Sequence, residues 1–401
     1  MKVTNDGEST IPEFGAVIEL LLNEEVPFPP ALWNYFSDMS SVELDLLKTK
    51  WDLVKPEKKV ALMDDLASMM DYNFQMSFDD FAKFCLDDED SLVRAAAIRL
   101  LLEYSERDLV APMLDMLEND SDELVQSTAA TMLGNYVYLG ELEEFPARDA
   151  RRVEDALLAA IADSNSVLVQ RRALEAVSAS SREEIEPLIL AAYEKKEKEW
   201  QLTALFSMGR NADALWGKYV LENLDSEDSD ILFEAVQAAG EIGLDQARKP
   251  LLNLAARAED LDQYVRMALA HSLENIGGKG VQAALEHLIE YVEDDEEEEM
   301  IEQALEFTSF TEGVQSSPEM FGFSLEDFQD AMGELMAEEA GDTDYHSHSH
   351  AGHHHDDDDI YDDADMDFDD ELDDDLDDED DFEGDQPKPA APNKGKSRHR
   401  H

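Results

Sequence analysis

Apolar positions recur along this chain with a long period. Val93, Val125, Val169, Trp200, Ile231 and Val265 each open one pattern. Four residues on comes Ala97, Ala129, Ala173, Ala204, Ala235 or Leu269, and eight on comes Leu101, Leu133, Val177, Met208, Ala239 or Leu273. Spacing of four and eight is one face of an α-helix. Three residues before each anchor stands Asp90, Asp122, Ser166, Glu197, Asp228 or Asp262, a residue that can cap a helix or favour its N-terminus. The anchors lie roughly 32, 44, 31, 31 and 34 residues apart, the period range of helical solenoids.

Between anchors a second helix is predicted in each unit, from Leu114 and Leu117, Leu157, Leu158 and Ile161, Leu188 and Ile189, Leu221 and Leu224, and Leu251, Leu252 and Leu254. Pro112, Pro187 and Pro250 stand near the start of three of them, where a missing N–H costs no hydrogen bond. Gly134, Gly209 and Gly240 follow their anchors by nine, and Gly243 and Gly277 by twelve; the latter two suit a helix end needing a left-handed residue. The long interval from Val125 to Val169 assigns its surplus to a loop, Tyr138–Arg152.

The pattern divides the chain into an N-terminal helical region at 1–88, repeats at 89–309, a capping segment at 310–340 and a tail at 341–401. Within 1–88, helices are predicted around Phe14–Leu22, Ser41–Leu53 and Glu57–Met70, with Ser77 and Asp80 as a capping box for another. The run Asp294–Glu299 with Met300, Ala304 and Leu305 reads as a degenerate polar cap, which solenoids need to end an exposed core. Ser324–Glu339 is amphipathic, and the tail is too polar for a core and is expected to be disordered. The fold class is therefore all-α: a helical-repeat solenoid with a disordered acidic tail.

The Asp-x-x-Val-Arg openings at Asp90–Arg94 and Asp262–Arg266, the alanine four on, the glycines and the prolines together resemble HEAT repeats, and more closely the HEAT-like repeats of the phycobilin-lyase type. The resemblance implies antiparallel helix pairs stacked in a right-handed superhelix, with the second helix of each pair concave. The repeat arginine is kept at Arg94 and Arg266, replaced by Gln126, Gln170 and Gln201, and lost at Leu232. Lyase and iron-dependent hydroxylase activities occur in this group. The hydroxylases bind iron through His-Glu dipeptides, and this sequence has none.

The chain has 401 residues and a formal charge of −66. That charge argues against nucleic-acid backbones and anionic membranes, and favours basic proteins and divalent cations as partners. The N-terminus lacks the basic and apolar runs of a signal peptide, so a cytoplasmic, soluble monomer is expected. The single cysteine, Cys85, lies in an apolar run and is expected to be a core thiol.

No catalytic constellation is present, so the reading is a protein-binding scaffold and not an enzyme. Candidate partner contacts on the concave face are Arg94, Arg99, Gln126, Arg171, Arg172, Trp200, Tyr264, Arg266 and His271, because arginine and aromatic side chains dominate binding energies. Alternatively these arginines pair with local acids, or the tail competes for them as an electrostatic lid. His346, His348, His350, His353, His354 and His355 offer imidazoles for weak binding of Zn, Ni, Cu or Co. The second reading is an enzyme or enzyme accessory, lyase-like or a metal-dependent oxidoreductase, and metal buffering or chaperoning through the tail is the third; no other cofactor is implied.

Overall fold

The computed structural model describes residues 14–70, 76–102 and 104–316. The predicted helix Ser324–Glu339 and the tail lie outside them. Among the described residues the regular elements are α-helices and short 3₁₀ turns, with no strand. Three helices come first: α1 (Phe14–Leu21), α2 (Ser41–Lys48) and α3 (Pro56–Met70). Helix pairs follow, each with an A and a B member: α4 (Asp79–Cys85) with α5 (Ser91–Leu100), α6 (Val110–Asn119) with α7 (Glu123–Glu141), and α8 (Ala147–Asp163) with α9 (Val167–Val177). The series continues as α10 (Ile185–Glu194) with α11 (Lys198–Asn211), α12 (Gly217–Asn223) with α13 (Ser229–Glu241), α14 (Arg248–Ala255) with α15 (Gln263–Ile276), and α16 (Val281–Leu288) with α17 (Asp295–Ser316).

The B helices stack on one another, α3 on α5, then α7, α9, α11, α13, α15 and α17. All six anchors are buried or nearly so, and so are the alanines four residues on. The core is thus one continuous apolar seam between successive layers. Cys85 is a fully buried thiol within it, and burial pushes its pKa up.

Start and stop signals act where the pattern placed them. Asp90, Asp122, Ser166, Asp228 and Asp262 each accept a bond from a backbone N–H of the first turn they cap. Glu197 occupies the same place without such a bond. Pro112, Pro187 and Pro250 are each the third residue of their helix. Gly243 and Gly277 have φ of 65° and 58°, as their helix ends require.

Three expectations fail. The segment Tyr138–Arg152 is not a loop: α7 runs through Glu141 and α8 starts at Ala147, so two lengthened helices absorb the surplus. The turn between them is held by Phe145, buried against Tyr136, and by the N–H groups of Glu144 and Phe145 donating to the Leu139 carbonyl. Ser77 forms no capping box; its hydroxyl donates to Asp79, and α4 starts uncapped after Phe78. The helix predicted to reach Leu53 ends at Lys48, and its start carries the true capping box, Ser40 with Glu43.

Close approach of B helices explains the glycines. A methyl group on Gly240 would lie 2.7 Å from the Ser272 Cα, and one on Gly134 3.0 Å from the Ala176 Cα. Real side chains do not approach a backbone at the first of these distances, so the layers would have to part. Gly240→Ala is expected to destabilise the array by about 1–3 kcal/mol. Gly15→Ala, in α1 where nothing lies within 4 Å, is expected to be neutral or slightly stabilising. Urea unfolding of the two variants beside the native chain checks the contrast.

Candidate functional site

The turn between the A and B helices is where this array places its polar chemistry. Two residues ahead of four of the six caps, a short polar side chain accepts the cap's own backbone N–H: Asp88 from Asp90 at 3.0 Å, Asp120 from Asp122 at 2.9 Å, Ser164 from Ser166 at 3.1 Å and Ser226 from Asp228 at 3.1 Å. In four of the six repeats the residue after the anchor then reaches back over the turn. Arg94 donates to the Asp88 carbonyl at 2.9 Å, Gln126 to the Asp120 carbonyl at 3.0 Å, and Gln170 to the Ser164 carbonyl at 2.8 Å. Arg266 does the same to the Leu261 carbonyl at 2.6 Å. Glutamine therefore keeps the bond within the repeat.

What glutamine loses is the bond to the next repeat. Arg94 grips both oxygens of Asp120 at 2.9 and 2.8 Å. Arg266, only 3% exposed, grips Glu297 at 2.6 and 3.0 Å and Glu293 at 2.9 Å. Lys59 of α3 supplies an equivalent rung that the sequence did not reveal: its ammonium sits 2.7 Å from Asp88, which also accepts the Trp51 indole N–H at 2.6 Å. In the middle of the array the link changes. Arg171 donates to the Thr203 hydroxyl at 3.0 Å, Thr203 donates to Glu175, and Arg172 pairs with Glu175 at 2.6 Å. Lys198 of α11 bridges Asp228 and Asp230 of the next turn.

The candidate contact residues thus divide. Arg94, Gln126, Arg171 and Arg266 serve the turns and layer interfaces. Trp200 holds an anchor place and is 5% exposed, inside the core with Lys195 over its ring. Arg99 is partly buried and meets Asp64 of α3. Arg172 is partly buried on Glu175, and His271 bonds Asn275 at 3.1 Å. Desolvation holds the His271 imidazole below its ordinary pKa. Tyr264 is 51% exposed. The structure does not gather these residues into a reaction centre. Among the described residues no group of three or more His, Cys, Asp or Glu is placed to hold a metal ion. His346, His348, His350, His353, His354 and His355 lie outside the described residues.

Paired helices in register, capped at the B-helix starts and crossing at glycines, define an α-helical repeat protein. A family model described as HEAT repeats matches residues 78–150 and 217–306, so these two stretches carry HEAT repeats. The unmatched stretch between them holds α8 to α11, where the arginine rung is absent, yet the helices there stack as their neighbours do. No curated protein matches the chain. Among solved structures, the chain is similar to two engineered proteins. One is 21% identical, with 51% of this chain and 97% of that one covered and a TM-score of 0.33; the other is 18% identical, with 74% and 88% covered and a TM-score of 0.34. It is also similar to human deoxyhypusine hydroxylase in complex with glycerol, at 15% identity, with 74% and 96% covered and a TM-score of 0.31. No helix among the described residues is long and apolar enough to cross a membrane.

Two predictions follow from the rungs. Lys59→Met strands a buried carboxylate at Asp88 and is expected to cost about 3–5 kcal/mol. Faster amide exchange in α3 and α5, with α13 and α15 unchanged, is the signature to look for. The second concerns acid. Burial alone would raise the Asp120 pKa, but the Arg94 hydrogen bond and charge, with the Asp122 N–H, hold it below its usual value. Asp228 is likewise lowered against its burial by Lys198 and the Ile231 N–H. A depressed carboxylate contributes stability above its unfolded pKa of about 3.9, and loses it as pH falls through the folded value. Stability should therefore fall below about pH 4, and Asp120→Asn should flatten that fall while lowering stability at neutral pH. Urea midpoints measured across pH would show it.

Proposed function

We propose that this protein is a non-catalytic scaffold that binds protein partners along the open side of its B helices. The observation that carries the reading is the asymmetry of each layer. One side of every B helix from α5 to α15 is covered by its A helix, and its flanks by neighbouring B helices. The remaining side carries exposed or half-exposed residues of several kinds, including Leu92, Thr131, Arg172, Phe206, Gln237, Tyr264 and His271. A surface repeated layer after layer suits an elongated partner better than a small molecule. The absence of a gathered catalytic set in the sequence agrees with this reading, and cytoplasmic residence is part of it.

The test is capture of partners by the full chain and by surface variants. Thr131→Lys with Tyr264→Ala alters two exposed residues on the open side; Glu186→Lys alters an exposed residue of α10, on the A side. Partners retained by the A-side variant and reduced at least tenfold by the open-side pair are the expected outcome, since truncating a well-placed contact costs above 1 kcal/mol. Equal capture by both variants would reject the reading.

A further inference from the structure

We infer that the first turns of α5, α7 and α9 form a docking strip for an extended basic segment of a partner protein, with an apolar residue at every third position. The inference rests on the scaffold reading and gives it a partner chemistry. Leu92, Leu124 and Leu168 occupy one equivalent place, the residue before the anchor, on three successive B helices. Leu92 is 42% exposed, Leu124 and Leu168 are half-buried, and Val167 beside Leu168 is 54% exposed. Capping accounts for Asp90, Asp122 and Ser166 just ahead of them, but asks nothing apolar of this place. Farther along it is filled by Glu199 and Asp230, and then by Tyr264 on α15. An apolar row that faces water over three layers and then stops has the form of an interaction surface.

The charge around the row selects the partner. Asp87, Glu89, Glu123 and Asp163 are exposed at the same turns, and Glu123 accepts the hydroxyl of Ser166 in the adjacent layer. No lysine or arginine occurs between Arg107 and Arg148, nor between Arg152 and Arg171. Arg94, the cation nearest the row in sequence, is turned into Asp120 with 14% of its side chain exposed. The strip is thus apolar with an acidic rim, and a partner must bring cations beside its apolar residues. Spacing sets the rest. Packed helix axes lie about 8–10 Å apart, and an extended segment in the polyproline II form has three residues per turn and advances about 3.1 Å per residue. One partner residue in three then meets one helix start, and the two between face the acidic rim.

The experiment is calorimetric titration of the full chain with a synthetic peptide of repeated Val-Lys-Lys triplets, beside a peptide of the same composition with its valines in one block. The triplet peptide is expected to bind several-fold more tightly. The variant carrying Leu92→Ser and Val167→Ser changes only exposed side chains and should melt as the native chain does. It is expected to weaken triplet binding about tenfold and to abolish the preference over the block peptide. Equal binding of the two peptides, or triplet binding unchanged in the double variant, overturns the inference. Partners still captured on the open side when the peptides show no preference remove the strip alone. A preserved triplet preference when open-side capture fails removes the scaffold reading and leaves the strip.

Discussion

Everything in this array depends on how closely one B helix can lie on the next. An isolated B helix of 10 to 19 residues, such as α5 or α7, is marginal in water and takes its stability from packing. Packing in turn requires that backbones meet, and they do so at alanine four residues past the anchor and at Gly134, Gly209 and Gly240. The small residues bring the seam together and the large ones fill it. Trp216, Tyr136, Phe81 and Ile98 are fully buried in this way. Because each layer touches only its neighbours, the seam is local everywhere, and a departure in one repeat need not spread.

The A–B turn applies the same logic to polar groups. Turning the chain between two helices leaves N–H and C=O groups without intrahelical partners. The turns before α5, α7 and α9 satisfy them with a short side chain, a cap and a returning Arg or Gln, so these turns are complete before any neighbour arrives. The ion pair to the next repeat is an addition to that module. It is present at Lys59–Asp88, Arg94–Asp120 and Arg266–Glu297, all toward the ends of the stack. In the middle, the Arg171–Thr203–Glu175–Arg172 network and the differently placed Lys198 pair with Asp228 and Asp230 take its place. The stack tolerates the exchange because helix packing, and not the ion pair, fixes the spacing of layers.

Much of the fold was legible because the signals were local. Caps, prolines in first turns and left-handed glycines act within a few residues, and periodicity reads a buried stripe directly. Long-range features were less legible. Lys59 gave no sign of being a rung, because its partner Asp88 is identified only once α3 is known to stack on α5. The surplus at Tyr138–Arg152 looked like a loop because Gly140 and Pro146 are turn residues. In the structure Gly140 instead makes room for Ala150, since a methyl there would lie 2.6 Å from the Ala150 Cβ. Candidate contacts suffered most. Residue type suggested Trp200 and the arginines as binding residues, but an anchor place is a core place whatever occupies it, and an arginine beside a turn has carbonyls to satisfy first.

The same reasoning says where a partner can act. A side chain that closes a turn or a seam is already committed, and recruiting it to a ligand would break a bond the fold needs. Buried Arg171 and Arg266 therefore cannot be the adaptable surface of this protein. The residues with freedom to evolve are those that face water without serving the stack, such as Leu92 and Val167. Exposure costs such apolar residues little in a chain this highly charged, because like-charge repulsion between copies opposes the self-association that an apolar strip would otherwise promote. A strong acidic balance and an exposed apolar row are thus compatible properties: the charge that opposes self-association is the charge that would favour a basic partner.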